Sequence, residues 1–298
     1  MNRIVDEIKR QFNQPNNATI QLIIINLIIF AFINIGIVIS KLFHLPIDFE
    51  LFTYKYLALS DVSFSLLYRP WTIITNAFTQ VGFWHLLSNM VGLYFLGRFF
   101  ASEFGDRRLI GFYLMTAVLN SFLYIIVQNV IPLYAGSSTI IGASGVIFGL
   151  LVALAAYYPN HEVRLYFFIP IKLYWLAVGL VVLSFIQMVG NNGGGNASHL
   201  TGALIGYLYA WQLKKGTNWG EPFSLIVDFF GKFFKKKSPK MNVSYSRKGS
   251  NHSSTVEDVD YTEISQEEID DILDKLRVSG YESLSKAEKD KLFEYSKK

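Results

Sequence analysis

IIGASGVIFGLL, residues Ile140–Leu151, sets a serine between glycines inside an otherwise apolar stretch. Two readings compete. Either Ser144 helps two membrane helices to pack, or it is a nucleophile. Small residues let helix backbones approach closely, and Gly145 and Gly149 have the GxxxG spacing that favours such contacts. A nucleophile needs polar partners at its own depth, so the choice rests on where this stretch lies in the chain.

The chain has 298 residues, 51% of them hydrophobic, and no cysteine. Disulfides, thiolate metal sites and a cysteine nucleophile are thereby excluded. Apolar runs nearly free of charge recur between Ile20 and Trp211, and such runs read as membrane spans. Six spans are expected: Ile20–Ile39, Trp84–Phe99, Leu109–Val130, Ser144–Tyr158, Trp175–Val189 and His199–Trp211. The first is too long for the apolar part of a signal peptide and no small-residue cleavage site follows it. Several spans are short, which tilt or burial against neighbours accommodates. Tyr157, Tyr158, Tyr174, Trp175 and Trp211 sit near span ends, as interfacial belts require. The expected fold is an all-α polytopic membrane protein with a short fourth helix.

The net charge is +4, and its placement matters more than its size. Arg3, Lys9 and Arg10 precede the first span; Arg98, Arg107 and Arg108 lie between the second and third; Arg164 and Lys172 lie between the fourth and fifth. Lys214 and Lys215 follow the sixth. By the positive-inside rule both termini are expected in the cytoplasm. The long segment Ser40–Phe83 then lies on the outer side and reads as interfacial helices.

The chain divides into a short segment (residues 1–19), a membrane domain (20–214), an amphipathic basic segment (215–237), a Ser-rich linker (238–262) and a terminal helical unit (263–298). Glu221–Lys237 mixes apolar residues with Lys235–Lys237, which suits a helix lying on anionic lipid; a plain continuation of the sixth span is the alternative. In the terminal unit Ser265 with Glu268, and Ser285 with Glu288, form capping boxes. Ile269, Ile272, Leu273 and Leu276 form one apolar stripe, and Gly280 stands where a helix would end.

Polar side chains kept inside lipid are functional candidates by default. Here they are His85, Asn89, Ser144 and His199. Each taken singly reads better as interhelical packing or as a water-facing helix end. The topology gathers them. The second, fourth and sixth spans all run from outside to inside, and His85, Ser144 and His199 lie near their starts. Counting at 1.5 Å per residue, Ser144 is roughly 21 Å above Tyr158, His199 roughly 22 Å above Lys214 and His85 roughly 20 Å above Arg98. Against a hydrocarbon core of about 30 Å, all three lie at one level, about 10 Å below the outer edge. Asn89 is one turn below His85 on the same face.

Peptide hydrolysis needs a nucleophile, a base and donors for the oxyanion. Ser144 attacks, His199 takes its proton, and the helix start leaves the Ser144 N–H free as a donor. His85 and Asn89 add side-chain donors. No carboxylate shares this depth, so a Ser–His dyad is expected, with Phe148 stacked on His199 one turn below Ser144. The glycine-rich Gly190–His199 reads as a flexible external link.

These residues resemble the rhomboid intramembrane serine proteases. GASG (Gly142–Gly145), HLLSN (His85–Asn89) and SHLTGALIG (Ser198–Gly206) match that family's motifs in its order, over roughly Leu57–Lys214. The resemblance implies a six-helix rhomboid-like bundle with Ser144 as nucleophile and His199 as general base. It implies an oxyanion hole of His85, Asn89 and the Ser144 backbone. Gly202 and Gly206 then let the sixth helix approach the fourth, and Glu103, in LGRFFASEFG (Leu96–Gly105), has a structural role. Many members carry Tyr where this chain has Phe148, and YRPW (Tyr68–Trp71) matches only part of a Trp–Arg pair. The resemblance is to bacterial members with a C-terminal cytoplasmic tail, so it implies a bundle in the bacterial inner membrane. Because a stable membrane helix hides its backbone, the expected substrates are transmembrane proteins cut near the outer face, where small residues and helix breakers let the segment unwind.

The rival within the family is a catalytically silent relative that binds transmembrane helices without cutting them. A transporter with a midplane site would show inverted repeats and charged intramembrane groups; no convincing repeat is seen, and the polar groups cluster near one face. No H-E-x-x-H occurs, so no zinc is expected, nor any cofactor or nucleic-acid partner. The sequence assigns no oligomeric state.

Overall fold

The computed structural model describes residues 10, 17–62, 64–131, 139–165, 169–190, 192–234 and 266–295. The elements that matter run α1 (Ala18–Leu42), α2 (Phe49–Tyr56), β1 (Leu59–Ser60), α3 (Ser65–Tyr68), α4 (Thr72–Thr75), α5 (Phe83–Phe104), α6 (Asp106–Val130), β2 (Thr139–Ile140), α7 (Ser144–Tyr157), β3 (Glu162–Leu165), β4 (Ile169–Lys172), α8 (Leu173–Ile186), α9 (Gly193–Lys214), α10 (Glu221–Phe234), α11 (Gln266–Ser279) and α12 (Lys286–Tyr295). The chain clusters into two units, Met1–Ser238 and Pro239–Lys298.

In the first unit α1, α5, α6, α7, α8 and α9 make an all-α polytopic bundle. Among the described residues, α1 and α6 alone are long and apolar enough to cross a membrane by length and composition. The other four are shorter or carry the polar residues of the site. Apolar residues face outward across the bundle: Ile28, Phe32, Ile35 and Val38 on α1, Phe95 on α5, and Phe185 and Ile186 on α8 are all exposed. Water would penalise such a surface by roughly 25 cal/mol per Å², whereas lipid does not. Inside, α7 is the hub, with nine of its 14 residues buried.

Glycines let α9 come close to α7. A Cβ on Gly202 would run into the Gly145 carbonyl, and one on Gly206 into the Gly149 carbonyl. The packing half of the opening question is answered here: the glycines around Ser144 do make a helix–helix seam. At the far end of this seam Lys214 donates to the Ala156 carbonyl (2.8 Å), so α7 and α9 end level on the basic face.

Two small ribbons were not expected. β1 pairs antiparallel with β2 (Leu59 opposite Ile140), and β3 with β4 (Glu162 opposite Lys172). Read as plain links in the sequence, these stretches are extended backbone whose polar groups need partners near the membrane, and a short ladder supplies them. The segment before α5 is indeed built from short helices, α2 to α4. Trp71 Nε1 donates to the Tyr56 carbonyl (2.8 Å), and Arg69 to that of Lys55, pinning the end of α2.

α10 is a separate helix. The chain breaks after α9 at Gly216 (φ 85°), which removes the alternative of one continuous sixth helix. α10 packs along α6, where a Cβ on Gly111 would collide with the Gly220 carbonyl. Arg107 pairs with Glu221 (2.7 Å) and Asp228 (2.8 Å), while Leu225, Ile226 and Phe229 stay exposed. Lys235–Lys237, the linker and Ser265 lie outside the described residues.

The second unit is a helical hairpin. Ile269, Ile272 and Leu284 are buried, Leu276 is half-buried and Leu273 is exposed, so the apolar stripe is narrower than its spacing suggested. Gly280 closes α11 at φ 76°. The Ser285 box forms: Ser285 N–H donates to Glu288 (2.6 Å) and Glu288 N–H to the Ser285 hydroxyl (3.3 Å).

Candidate functional site

Ser144 is the first residue of α7, half-buried, and no side chain caps the helix start. The N–H groups there are open, with the helix dipole behind them. The turn that delivers Ser144 depends on Gly142. Its φ is 118°, a conformation L side chains rarely adopt, and its N–H donates to the Asn76 carbonyl (2.8 Å). A Cβ at Gly142 would stand 2.6 Å from the His85 ring. The loop and α5 are thus in direct contact at the residue two before Ser144.

His85 lies in the first turn of α5 and is half-buried; Asn89, one turn on, is buried. The Gly142 Cβ position is 3.5 Å from Asn89 Nδ2, so the asparagine amide also faces the serine turn. Asn89 Nδ2 donates to Gln80 Oε1 (2.8 Å), and Gln80 Nε2 donates to Asn26 Oδ1 on α1 (3.0 Å). The sequence reading missed both Gln80 and Asn26. Their signal was present, since a buried amide needs partners, but nothing in linear spacing joins α1 to the stretch before α5.

His199 stacks on Phe148 with ring centroids 4.2 Å apart and planes 5° from parallel. That stack was expected from the i, i+4 spacing of Ser144 and Phe148. The other ring face of the question, which nitrogen is held, was not foreseen: Ser184 Oγ on α8 lies 3.3 Å from His199 Nδ1. Ser184 is buried. Among the described residues no hydrogen bond joins Ser144 to His199, and none joins a carboxylate to the histidine. Catalytic hydrogen bonds in empty sites are often long and tighten only with substrate.

One expectation about this region is corrected. His199 was placed at the start of the sixth helix, after a flexible link, but α9 begins at Gly193 and His199 lies in its second turn. Asn196 donates to the Gln187 and Asn192 carbonyls (both 3.0 Å), and Gly193, Asn196, Ala197 and Ser198 are buried. Packing and these side-chain bonds hold as helix a stretch that composition reads as loose.

Buried amides brace the seam beside the site. Asn120 on α6 donates to Ser198 (2.8 Å) and accepts from Thr201, and a Cβ on Gly145 would strike Asn120 and Ser198. Glu103, near the end of α5, lies within interaction range of the Tyr158 phenol, the residue just past α7.

α7 has 14 residues and is therefore roughly 21 Å long, about 9 Å less than the 30 Å core of a bilayer. Beside the turn that leads to Ser144 lies a cavity of about 480 Å³ that reaches His85 and Ile141, with Tyr54, Gly82 and Asn192 also in its wall; Ser144 and His199 do not line it. Non-helical backbone at membrane depth is tolerated where it borders such a space.

A helical polytopic protein with a cavity beside a histidine, a buried asparagine and a helix-starting serine is the class these features define. A family model for the rhomboid domain matches residues 68–216, and a family of unknown function (DUF6576) matches residues 262–298. The chain belongs to the rhomboid family. It is 29% identical over 160 residues to RHOMBOID-like protein 12, mitochondrial, of Arabidopsis thaliana, covering 50% of this chain and 48% of that protein. It is 28% identical over 198 residues to Rhomboid protein 1, mitochondrial, of Saccharomyces cerevisiae, covering 63% and 54%. A third relative, Rhomboid-like protein 16, chloroplastic, of Arabidopsis thaliana, is 26% identical over 164 residues. The chain spans about half the length of the curated relatives it matches.

These relatives correct the expected location. Their names point to organellar membranes of eukaryotes, and the assignment to a bacterial inner membrane, with both termini in the cytoplasm, is withdrawn. The physical reason is plain. Loop charge orients a bundle across its membrane but does not say which membrane it is.

Proposed function

We propose that this chain is an intramembrane serine endopeptidase that cuts transmembrane or juxtamembrane segments of other proteins. The observation that carries the reading is the clamp on His199. Phe148, one turn below Ser144, stacks on one face of the ring, and Ser184 meets Nδ1. With Nδ1–H donating to Ser184 Oγ, the ring keeps the tautomer whose Nε2 has a free lone pair, as a general base needs.

In the proposed reaction Ser144 Oγ attacks the scissile carbonyl carbon and its proton passes to His199 Nε2. The developing oxyanion is met by the Ser144 N–H at the uncapped start of α7 and by donors on His85 and Asn89. His199 then returns the proton to the leaving amine. Water entering through the cavity hydrolyses the acyl-enzyme, again through His199. A regular helix hides its carbonyls, so the substrate segment must unwind at the cut; small residues near it, with Gly or Pro beyond, favour that.

The missing Ser144–His199 hydrogen bond is the observation that favours the silent-binder reading. Cleavage separates the two. Purified protein in proteoliposomes is incubated with several transmembrane substrates, alongside Ser144→Ala and His199→Ala. The wild type is expected to cut, and each variant to lose at least about 10³-fold in kcat. Cleavage by Ser144→Ala at the wild-type rate rejects the mechanism; failure of every form on every substrate supports the silent reading.

We further propose that α10 lies on the surface of the basic face against anionic lipid, since Leu225, Ile226 and Phe229 are exposed and three lysines follow. Slower amide exchange across α10 in anionic than in neutral nanodiscs is expected, and equal exchange rejects it.

A further inference from the structure

We infer that Gln80 and Asn26 are positioning residues that set the polarity of the Asn89 amide, so that it offers N–H groups and not its oxygen to the serine turn. This rests on the serine-protease reading above. The two ends of an asparagine amide are nearly the same shape, and shape alone does not choose between them. A partner whose own polarity is fixed does.

The fixed points are two backbone carbonyls, which only accept. Asn26 Nδ2 donates to the Leu22 carbonyl (2.9 Å), so Asn26 Oδ1 must face the other way. It accepts from Gln80 Nε2 (3.0 Å), which turns Gln80 Oε1 towards Asn89, and that oxygen accepts from Asn89 Nδ2 (2.8 Å). The Tyr113 hydroxyl supplies the second anchor. It donates to the Ala77 carbonyl (2.9 Å) and can therefore only accept from Asn26 Nδ2 (3.5 Å). Asn26, Gln80 and Tyr113 are 0% exposed and Asn89 5%, so water does not offer an alternative partner. Reversing any one amide would set oxygen against oxygen and nitrogen against nitrogen at the next. Nδ2 of Asn89 carries two hydrogens. Gln80 takes one, and the nitrogen lies beside Gly142, which leaves the second for an oxyanion at Ser144. Asn26 stands outside residues 68–216, so α1 reaches the site from beyond the stretch that carries the family match.

The test is a mutant cycle on the full chain in proteoliposomes. Asn26→Leu and Gln80→Met are each expected to lower kcat by about tenfold with KM little changed, because a misaligned donor is felt in the transition state. Combined with Asn89→Ala, each is expected to cost nothing further, because it acts through a group already gone. A structural role would lower kcat additively in the double variant, and that result overturns the inference, as does an unchanged kcat in both single variants. Gln80→Met keeps the test open if Asn26→Leu fails to fold, with thermal unfolding reporting which variants are native. A wild type that cuts, an impaired Asn89→Ala and unimpaired Asn26→Leu and Gln80→Met remove this inference alone. An inert wild type, or a fully active Ser144→Ala, removes the protease reading and this inference with it.

Discussion

Two glycine-rich stretches deliver the two proposed reacting residues, and they do so in opposite ways. Ser144 follows Gly142, whose φ of 118° makes a turn that no other residue adopts easily. His199 follows Gly193–Gly195, which are helical and have ordinary φ values. In the first stretch glycine is required for its backbone angle and for the space that His85 occupies. In the second it is tolerated, because Asn196 bonds and burial hold the helix despite it. Similar compositions therefore carry different constraints, and the local sequence does not say which is which.

The largest way to break this comparison is Gly142→Ala. A Cβ there meets a strained angle, worth about 1–3 kcal/mol, and the His85 ring. Cleavage is expected to fall by more than about a hundredfold, the scale of losing an oxyanion donor. Gly195→Ala should do almost nothing. Its Cβ would stand 2.5 Å from the exposed Asn192 side chain, which can swing aside into solvent, and alanine favours helix by about 1 kcal/mol. Equal losses of activity in the two variants would erase the distinction.

Next in size is Gly206→Ala, which tests the seam and not the chemistry. Its Cβ would run into the Gly149 carbonyl, whose backbone cannot step aside. A destabilisation of about 1–3 kcal/mol is expected, read as a fall in Tm. Wild-type Tm would show that the close approach of α7 and α9 is not needed.

Smaller effects sharpen the account of His199. Phe148→Ala and Ser184→Ala are each expected to cost about tenfold in kcat, the equivalent of about 1.4 kcal/mol, through the stack and the Nδ1 bond. Phe148→Tyr keeps the stacking face and should retain most activity. If Ser184→Ala matches the wild type, packing alone orients the ring.

The smallest effect lies far from both stretches. Glu288 is held at about 2, below its usual 4.5, first by the Lys275 hydrogen bond and then by the Ser285 bonds. The ionised form is favoured in the folded hairpin. Its contribution is present in full above about 4.5 and is lost as pH falls through about 2. Amide protection in α12 should fall across that window, while constant protection would mean the capping box adds nothing.

Legibility differed by residue. The Phe148 stack followed from i, i+4 spacing, the Ser285 box from a four-residue pattern and Gly280 from its place after an apolar stripe. All are local, and helix geometry converts local spacing directly into contact. Ser184, Gln80 and Asn26 were not legible. Each lies on a helix or loop remote from its partner, and sequence spacing does not state which faces meet. The ribbons and the early start of α9 were missed for the same reason, because partners elsewhere in the chain supply their hydrogen bonds.

From its sequence alone this chain declared a bundle of apolar helices with a shortened fourth one, and it set the expectation of a serine and two histidines at one level. Periodic apolarity, helix rise and membrane thickness are enough for that. Tertiary structure alone decided which nitrogen of His199 is held, which way the Asn89 amide faces and which glycines are indispensable. Those depend on side chains from distant helices meeting in a space with little water, where an unmatched polar group is too costly to keep.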